Sequence, residues 1–167
     1  MDDDDRTKQS HLLELLSTFH TAMLVTRTAS GTMRARPLTL ADEHDQGRLY
    51  FATSIDSPKV GEVEESPDVL VTLQDSRSYV SISGTAEITR DRLLVDRLWR
   101  EPWKIWFPEG KDDPKLCLVV VTPRQAEYWD QSGLKGVKYL LGLVKAYAKG
   151  TTPEAGTSSD NAKVQLP

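Results

Sequence analysis

The stretch DVLVTLQDSRSYVSISGTAEIT, residues 68–89, contains two runs in which apolar and polar side chains alternate, separated by a short polar break. Alternation with a period of two is typical of strands that bury one face, so the two runs predict a pair of strands. Outward from this pair, residues 21–28 and 32–41 flank the turn residues 29–31 and predict a hairpin.

The rest of the chain extends this β-rich pattern. Further strands are predicted at residues 48–53 and, as one strand or two, at residues 115–130. Six or seven strands with short hairpin links predict an antiparallel barrel whose closure removes its edges. Amphipathic helices are predicted at residues 10–19, 59–66, 91–99 and 136–150. The fold class is therefore mainly β with flanking helices, with residues 1–150 as one domain and the polar residues 151–167 as a disordered tail.

Composition excludes several classes of protein. The chain has 167 residues and a formal net charge of −4, with signs mixed along its length, which argues against a nucleic-acid surface. The one cysteine, Cys117, permits no intrachain disulfide and favours a cytoplasmic setting with a buried, inert thiol. His11, His20 and His44 have no spacing typical of a metal site. Export and a membrane span are not expected, and the acidic start is predicted to be a solvated tail or an expression remnant.

A candidate anion site lies in RARPLTLADEHDQGRLYFATSIDSPKV, residues 34–60. Arg34 and Arg36 would share one face of a strand, and two adjacent guanidinium groups favour an anion. The pair alone favours a solvated face of an edge strand instead, since Pro37 cannot donate to a ladder.

The residues that follow favour the anion. Ser57 is a good helix N-cap, and Pro58 suits the first helical position, beyond which the N–H groups are exposed. Lys59 adds a positive charge, and Thr53 and Ser54 add hydroxyl groups near the same helix start. The spacing therefore predicts a generic phosphate-binding corner.

The order of ARPL, FATS with Ser57 and Lys59, YVSISGTAEI, DRLW, WFPEGKDDPKL and AEYWD resembles the general stress protein 26 group within the pyridoxamine 5'-phosphate oxidase-like, FMN-binding split barrels. The resemblance covers about residues 10–145. It implies a six-stranded antiparallel split barrel that forms a homodimer and holds FMN, or FAD, in a groove between subunits. Carried over by position, the implied flavin contacts are Arg36, Pro37 and Leu38 along the flavin, with Arg34 as an addition, Phe51, Ala52, Thr53 and Ser54 near its ring and ribityl chain, and Ser57 and Lys59 at its phosphate.

The same resemblance implies that Tyr79 and Ser81 approach the groove from the partner subunit, although ordinary strand alternation explains them equally well. Trp99, Trp103 and Trp106 form the densest aromatic cluster and favour an interface, with Trp106 a candidate flavin neighbour. Trp129 is interpreted as a buried anchor, with a flavin neighbour as the alternative.

The chain departs from true pyridoxamine 5'-phosphate oxidases in its C-terminal region, which reads YWDQSGLKGVKYLLG and lacks their Arg-x-His motif. Oxidation of pyridoxamine 5'-phosphate is therefore not expected, and no catalytic side chain is proposed. The predicted function is that of an FMN-binding general stress flavoprotein with weak or unassigned oxidoreductase activity. Two alternatives stay open: a non-catalytic flavin carrier or sensor, and a flavin-independent binder whose C-terminal helix, with Lys138, Lys145 and Lys149, docks on a membrane or a partner.

Overall fold

A computed structural model describes residues 3–41, 47–131 and 160–166 of the chain. Two short 3-10 helices, Glu101–Ile105 and Gly110–Asp112, lie between the last α-helix and the long strand that follows it. The helices and strands, in chain order, are α1 (Asp3–Leu16), β1 (Thr21–Arg27), β2 (Met33–Thr39), β3 (Leu49–Ser54), α2 (Pro58–Glu65), β4 (Asp68–Gln74), β5 (Ser78–Thr89), α3 (Arg92–Leu98), β6 (Leu116–Asp130) and β7 (Asp160–Gln165).

The strands form one antiparallel sheet in the order β2-β1-β4-β5-β6-β3, and β7 also pairs with β6. Strand β6 is long enough to hold two partners on one side, β3 along its first half and β7 along its second. The prediction of a mainly β fold with flanking helices is confirmed. The expected closure of the barrel is wrong for the described residues, because β2 and β3 end the strand order without pairing with each other, which is the open arrangement of a split barrel.

The pairing of β5 with β6 contains a bulge. The register of this pair shifts between Ser83 and Gly84, and a bulge of this kind bends a strand and increases its twist. A Cβ atom on Gly84 would lie 2.2 Å from the carbonyl oxygen of Thr122. The close approach of the two backbones therefore requires glycine at this position.

Two apolar clusters hold the fold together. The larger one packs Leu12 and Leu16 of α1 against the inner face of the sheet. The smaller one joins Leu98 to Trp103 and Phe107 on the other side of β3. Because β3 contributes to both clusters, it is buried on both faces.

Both ends of the chain differ from the sequence prediction. Helix α1 begins at Asp3, so the acidic run belongs in part to the helix, where acidic residues suit the positive end of the helix dipole. The tail prediction is wrong for Asp160–Gln165, which form β7, and Val164 is 5% exposed in the larger core cluster. The helix predicted at residues 136–150 and His44 lie outside the described residues.

Candidate functional site

A groove of about 380 Å³ opens where the barrel is split. Its walls come from the C-terminal ends of β2 and β3, which do not pair with each other, and from the segment that follows α3. The lining residues are Pro37, Leu38, Thr39, Ala52, Thr53, Ser54, Trp103, Trp106 and Phe107. Six of the residues predicted from sequence to contact a flavin therefore lie around one groove.

The aromatic wall of the groove combines buried and exposed side chains. Trp103 and Phe107 are 5% and 4% exposed and belong to the smaller core cluster, and Trp103 packs edge-to-face on Trp99 with ring centroids 5.8 Å apart. Trp106 is 65% exposed. Packing within the chain thus accounts for Trp103, whereas Trp106 presents a free aromatic surface at the groove.

A cationic corner, which we define as Thr53, Ser57 and Lys59, joins the groove to the start of α2. The Nζ atom of Lys59 donates to Thr53 Oγ1 at 2.9 Å and to Ser57 Oγ at 2.5 Å. Ser57 is the N-cap residue of α2, yet its side chain makes no capping hydrogen bond. The structure thus brings together three of the four predicted groups, whereas Ser54 Oγ accepts a hydrogen bond from the Asp56 N–H at 3.3 Å.

Burial at the corner changes the pKa values of Lys59 and of the nearby Cys117. Burial, followed by the positive charge of Arg36, lowers the pKa of Lys59 below its ordinary value. Beneath the corner, the buried thiol of Cys117 donates to the carbonyl oxygen of Thr53 at 3.4 Å, and burial raises its pKa to about 11. Cys117 is therefore a neutral thiol at physiological pH, in agreement with the prediction that it is buried and inert.

The two predicted arginines have a partner within the chain. Glu62 of α2 accepts a hydrogen bond from Arg36 at 2.7 Å on Oε2 and one from Arg34 at 3.0 Å on Oε1. Thr26 donates to the same Oε2 atom at 2.5 Å and accepts from Arg36 at 2.9 Å. We call Thr26, Arg34, Arg36 and Glu62 the arginine clamp. It supplies the anion that the arginine pair was expected to need.

Glu62 is ionised in this setting. Burial by itself would raise the pKa of Glu62, but the hydrogen bonds from Thr26 and Arg36 and the charges of both arginines outweigh it, so the pKa lies below its ordinary value. Sequence reasoning missed both Glu62 and Thr26. The available signals were that Glu62 lies three residues after Lys59 on one helix and that Thr26 faces Arg34 across the hairpin.

Five predicted contacts belong neither to the groove lining nor to the corner: Arg34 and Arg36, which are held in the clamp, and Phe51, Tyr79 and Ser81. The side chain of Phe51 is fully buried in the larger core cluster, so it does not line the groove. Tyr79 is 44% exposed on the outer face of β5, and Ser81 lies on the same face, two residues further along. In this chain the two side chains are outside the groove, and their predicted approach to a partner's flavin stays a prediction.

The described residues also bear on metal binding and on membrane insertion. In the described part of the chain, no group of three His, Cys, Asp or Glu side chains is placed to hold a metal ion. None of the described helices is long and apolar enough to cross a membrane. The cytoplasmic location stays a prediction.

Comparison with known proteins confirms the resemblance seen in the motifs. The sequence profile of the family described as pyridoxamine 5'-phosphate oxidase like matches residues 7–154. General stress protein 26 of Bacillus subtilis is 34% identical over 85 residues, which are 48% of this chain and 60% of that protein. The match thus spans less than two thirds of that relative's own length.

Solved structures share the fold. A protein from Jannaschia sp. CCS1, designated general stress protein 26, superposes with a TM-score of 0.75 at 25% identity, covering 98% of this chain and 99% of that one. The general stress FMN/FAD binding protein of Xanthomonas citri superposes with a TM-score of 0.65 at 27% identity, covering 75% of this chain and 89% of that one. The split-barrel fold expected from the motifs is confirmed.

Proposed function

The chain belongs to the pyridoxamine 5'-phosphate oxidase-like family, within its general stress protein 26 group, and on this premise we propose that it binds FMN in the groove between β2 and β3. The observation that carries the proposal is the cationic corner of Thr53, Ser57 and Lys59 beside a groove with aromatic and aliphatic walls. A flavin mononucleotide needs both parts, an apolar slot for its planar ring and donors for its phosphate.

Different residues of this chain would bind the phosphate and the ring of the flavin. Lys59 and the start of α2 would hold the phosphate through charge and hydrogen bonds. Pro37, Leu38 and Trp106 would hold the ring and exclude water from it. A terminal phosphate monoester suits a compact corner of this kind, which favours FMN over FAD. The Xanthomonas citri relative is described as binding FMN or FAD, and mass spectrometry of the flavin released from this protein distinguishes the two.

The proposed activity is that of a general stress flavoprotein with an unassigned oxidoreductase function. When bound, the isoalloxazine ring itself carries the electrons. None of the described residues that line the groove is a carboxylate, a histidine or a thiol. The role of these side chains is therefore to bind and orient the flavin.

Pyridoxamine 5'-phosphate is not proposed as a substrate. The Arg-x-His motif of the true oxidases is missing from the sequence, and most of the corresponding region lies outside the described residues. An oxygen-uptake assay with FMN-loaded protein and pyridoxamine 5'-phosphate should show no turnover. Rapid turnover would assign the substrate contacts to another part of this chain.

The experiment that tests flavin binding is the visible absorption spectrum of the purified protein before and after incubation with FMN and removal of free ligand. A retained flavin band supports the proposal, and its absence contradicts it. The variant Ser76→Ala is a matched control, because Ser76 lies in the exposed turn between β4 and β5. It should retain flavin like the wild type.

We further propose that the protein is a homodimer that pairs through the outer face of the sheet. Met23 and Tyr79 are exposed on this face at 36% and 44%. Pro37, Met23, Thr72 and Ser81 form one row across β2, β1, β4 and β5, and Pro37 also lines the groove. Exposed apolar surface that is continuous with the groove is what a shared flavin site between two copies needs.

Sedimentation of the wild type and of Tyr79→Asp tests the dimer. The new charge on the outer face of the sheet should dissociate the dimer and weaken FMN binding together. A monomeric wild type, or a monomeric variant with unchanged FMN affinity, would contradict the shared site.

A further inference from the structure

Helix α2 carries two opposite charges three residues apart, Lys59 and Glu62, and the two side chains contact different residues. Lys59 turns to the cationic corner and contacts Thr53 and Ser57. Glu62 turns to the sheet and contacts the arginine clamp. Residues three apart lie on neighbouring positions of one helix face. The clamp and the corner are therefore adjacent parts of one charged cluster.

Glu62 uses both of its carboxylate oxygens in this cluster. Oε2 accepts from Thr26 and Arg36, and Oε1 accepts from Arg34. The Glu62 side chain is 9% exposed, whereas those of Arg36 and Arg34 are 18% and 52% exposed. A carboxylate with this little access to water is screened weakly, so its charge acts on its neighbours at close range.

The cluster has more positive than negative charge. Arg34, Arg36 and Lys59 are cations, and Glu62 is the one carboxylate that the described contacts place among them. Arg36 and Glu62 act on Lys59 in opposite directions, the first lowering and the second raising its pKa. An anion bound at the cationic corner would thus experience the charge of Glu62 as well as that of Lys59.

We propose that Glu62 determines how strongly the site prefers a phosphorylated flavin to an unphosphorylated one, because its carboxylate offsets part of the positive charge that the phosphate meets. The inference rests on the proposed function, since it concerns the same groove. It makes Glu62 a specificity-determining residue that acts through the clamp and the corner. A purely structural ion pair, which only ties α2 to β2, would affect both flavins alike.

The test compares the affinities for FMN and for riboflavin, measured by quenching of flavin fluorescence, in the wild type and in Glu62→Gln. The amide keeps the shape of the side chain and removes its charge. We expect the preference for FMN over riboflavin to rise by about threefold to tenfold, as for one partly screened charge, and the gain to shrink at high salt. An unchanged or reduced preference would overturn the proposal.

A matched control uses the same substitution on the same helix. Glu65→Gln removes an exposed carboxylate from the end of α2 that lies away from the corner. It should leave the preference for FMN at the wild-type value. An equal rise in this variant would mean that the effect is general to the charge of the protein and would overturn the assignment to Glu62.

Two further variants keep the proposal testable if Glu62→Gln folds poorly. Arg36→Gln combined with Glu62→Gln removes one charge of each sign, so the preference for FMN should return to near the wild-type value. Arg34→Gln alone removes a half-exposed cation and should lower the preference. The opposite result in either variant would overturn the proposal. Failure of the wild type to bind any flavin would instead refute the proposed function.

Discussion

Lys59 Nζ lies 2.9 Å from Thr53 Oγ1. This contact joins the first turn of α2 to the C-terminal end of strand β3. Thr53 also lines the groove, so this contact connects the place for a flavin ring to the place for its phosphate. We therefore expect Lys59 to affect the binding of the flavin phosphate and to have little effect on the binding of the flavin ring.

Replacing Lys59 with Met should weaken FMN binding and leave riboflavin binding nearly unchanged. Hydrogen bonds to a charged partner contribute about 1.5–3 kcal/mol, so we expect a loss of about tenfold to a hundredfold in FMN affinity. Titration with each flavin measures it. Lys115→Met is the control, since Lys115 is an exposed lysine that pairs with Asp56 at 3.3 Å. Equal losses for the two flavins in Lys59→Met would refute the phosphate contact.

The affinity for FMN should fall in alkaline solution, at a pH below the ordinary pKa of a lysine. Burial, with the charge of Arg36, lowers the pKa of Lys59, so the free protein loses this proton below the ordinary lysine pKa of about 10.4. FMN binding favours the protonated form of Lys59. Above the lowered pKa of Lys59 in the free protein, binding requires the uptake of a proton, which weakens it by up to about tenfold per pH unit.

Titrations of FMN from about pH 7 up to the ordinary lysine pKa of about 10.4 would show this decline, which should be absent in Lys59→Met. A wild-type affinity that is constant over this range would mean that the Lys59 charge does not contact the phosphate.

The arginine clamp should stabilise the fold in a pH-dependent way. The folded pKa of Glu62 lies below its ordinary value, so its contribution is complete above the unfolded pKa of about 4.3 and is lost as pH falls through the folded value. At pH 7 we expect Glu62→Gln to lower the free energy of unfolding by about 1–3 kcal/mol. Urea unfolding at several pH values should show this difference shrinking in acid. A difference that stays constant down to about pH 3 would contradict the ionised clamp.

The bulge in β5 should tolerate no side chain. Gly84→Ala would place a Cβ atom 2.2 Å from the backbone oxygen of Thr122, and overpacking of this kind costs about 1–3 kcal/mol. Gly61→Ala is the matched control, because the structure has nothing within 4 Å of its added Cβ, and helix propensity predicts a gain of up to about 1 kcal/mol. Thermal unfolding of both variants measures the contrast, and equal melting temperatures would argue against the bulge geometry.

Much of the fold and the cationic corner could be predicted from the sequence because their signals are local. Alternation predicted β4 and β5, and the order Ser57, Pro58, Lys59 predicted where α2 begins and where hydroxyl and ammonium groups would meet. The extent of β6 was predicted only as one strand or two. Its continuous pairing with β5 depends on the bulge at Gly84, which allows the long strands to bend together.

The missed features depend on contacts between distant parts of the chain. Glu62 pairs with Arg36 and Arg34, which lie 26 and 28 positions earlier in the chain. Its spacing from Lys59 on α2 was a local signal, but that spacing does not identify the two arginines as partners. The family resemblance implied a flavin contact for Phe51 together with Ala52 and Thr53, but Phe51 faces the larger core because β3 is buried on both faces. Strand β7 was hidden by its polar composition, although Ala162, Val164 and Leu166 do alternate and pack on the larger core.

The central claim is that the cationic corner binds the phosphate of a flavin whose ring occupies the groove. The most direct test is a calorimetric titration of the flavin-free wild-type protein with FMN and, separately, with riboflavin. The account predicts that FMN binds at least about tenfold more tightly, the contribution of one charged hydrogen-bonded contact. Equal affinity for the two flavins, or binding of neither, would contradict it.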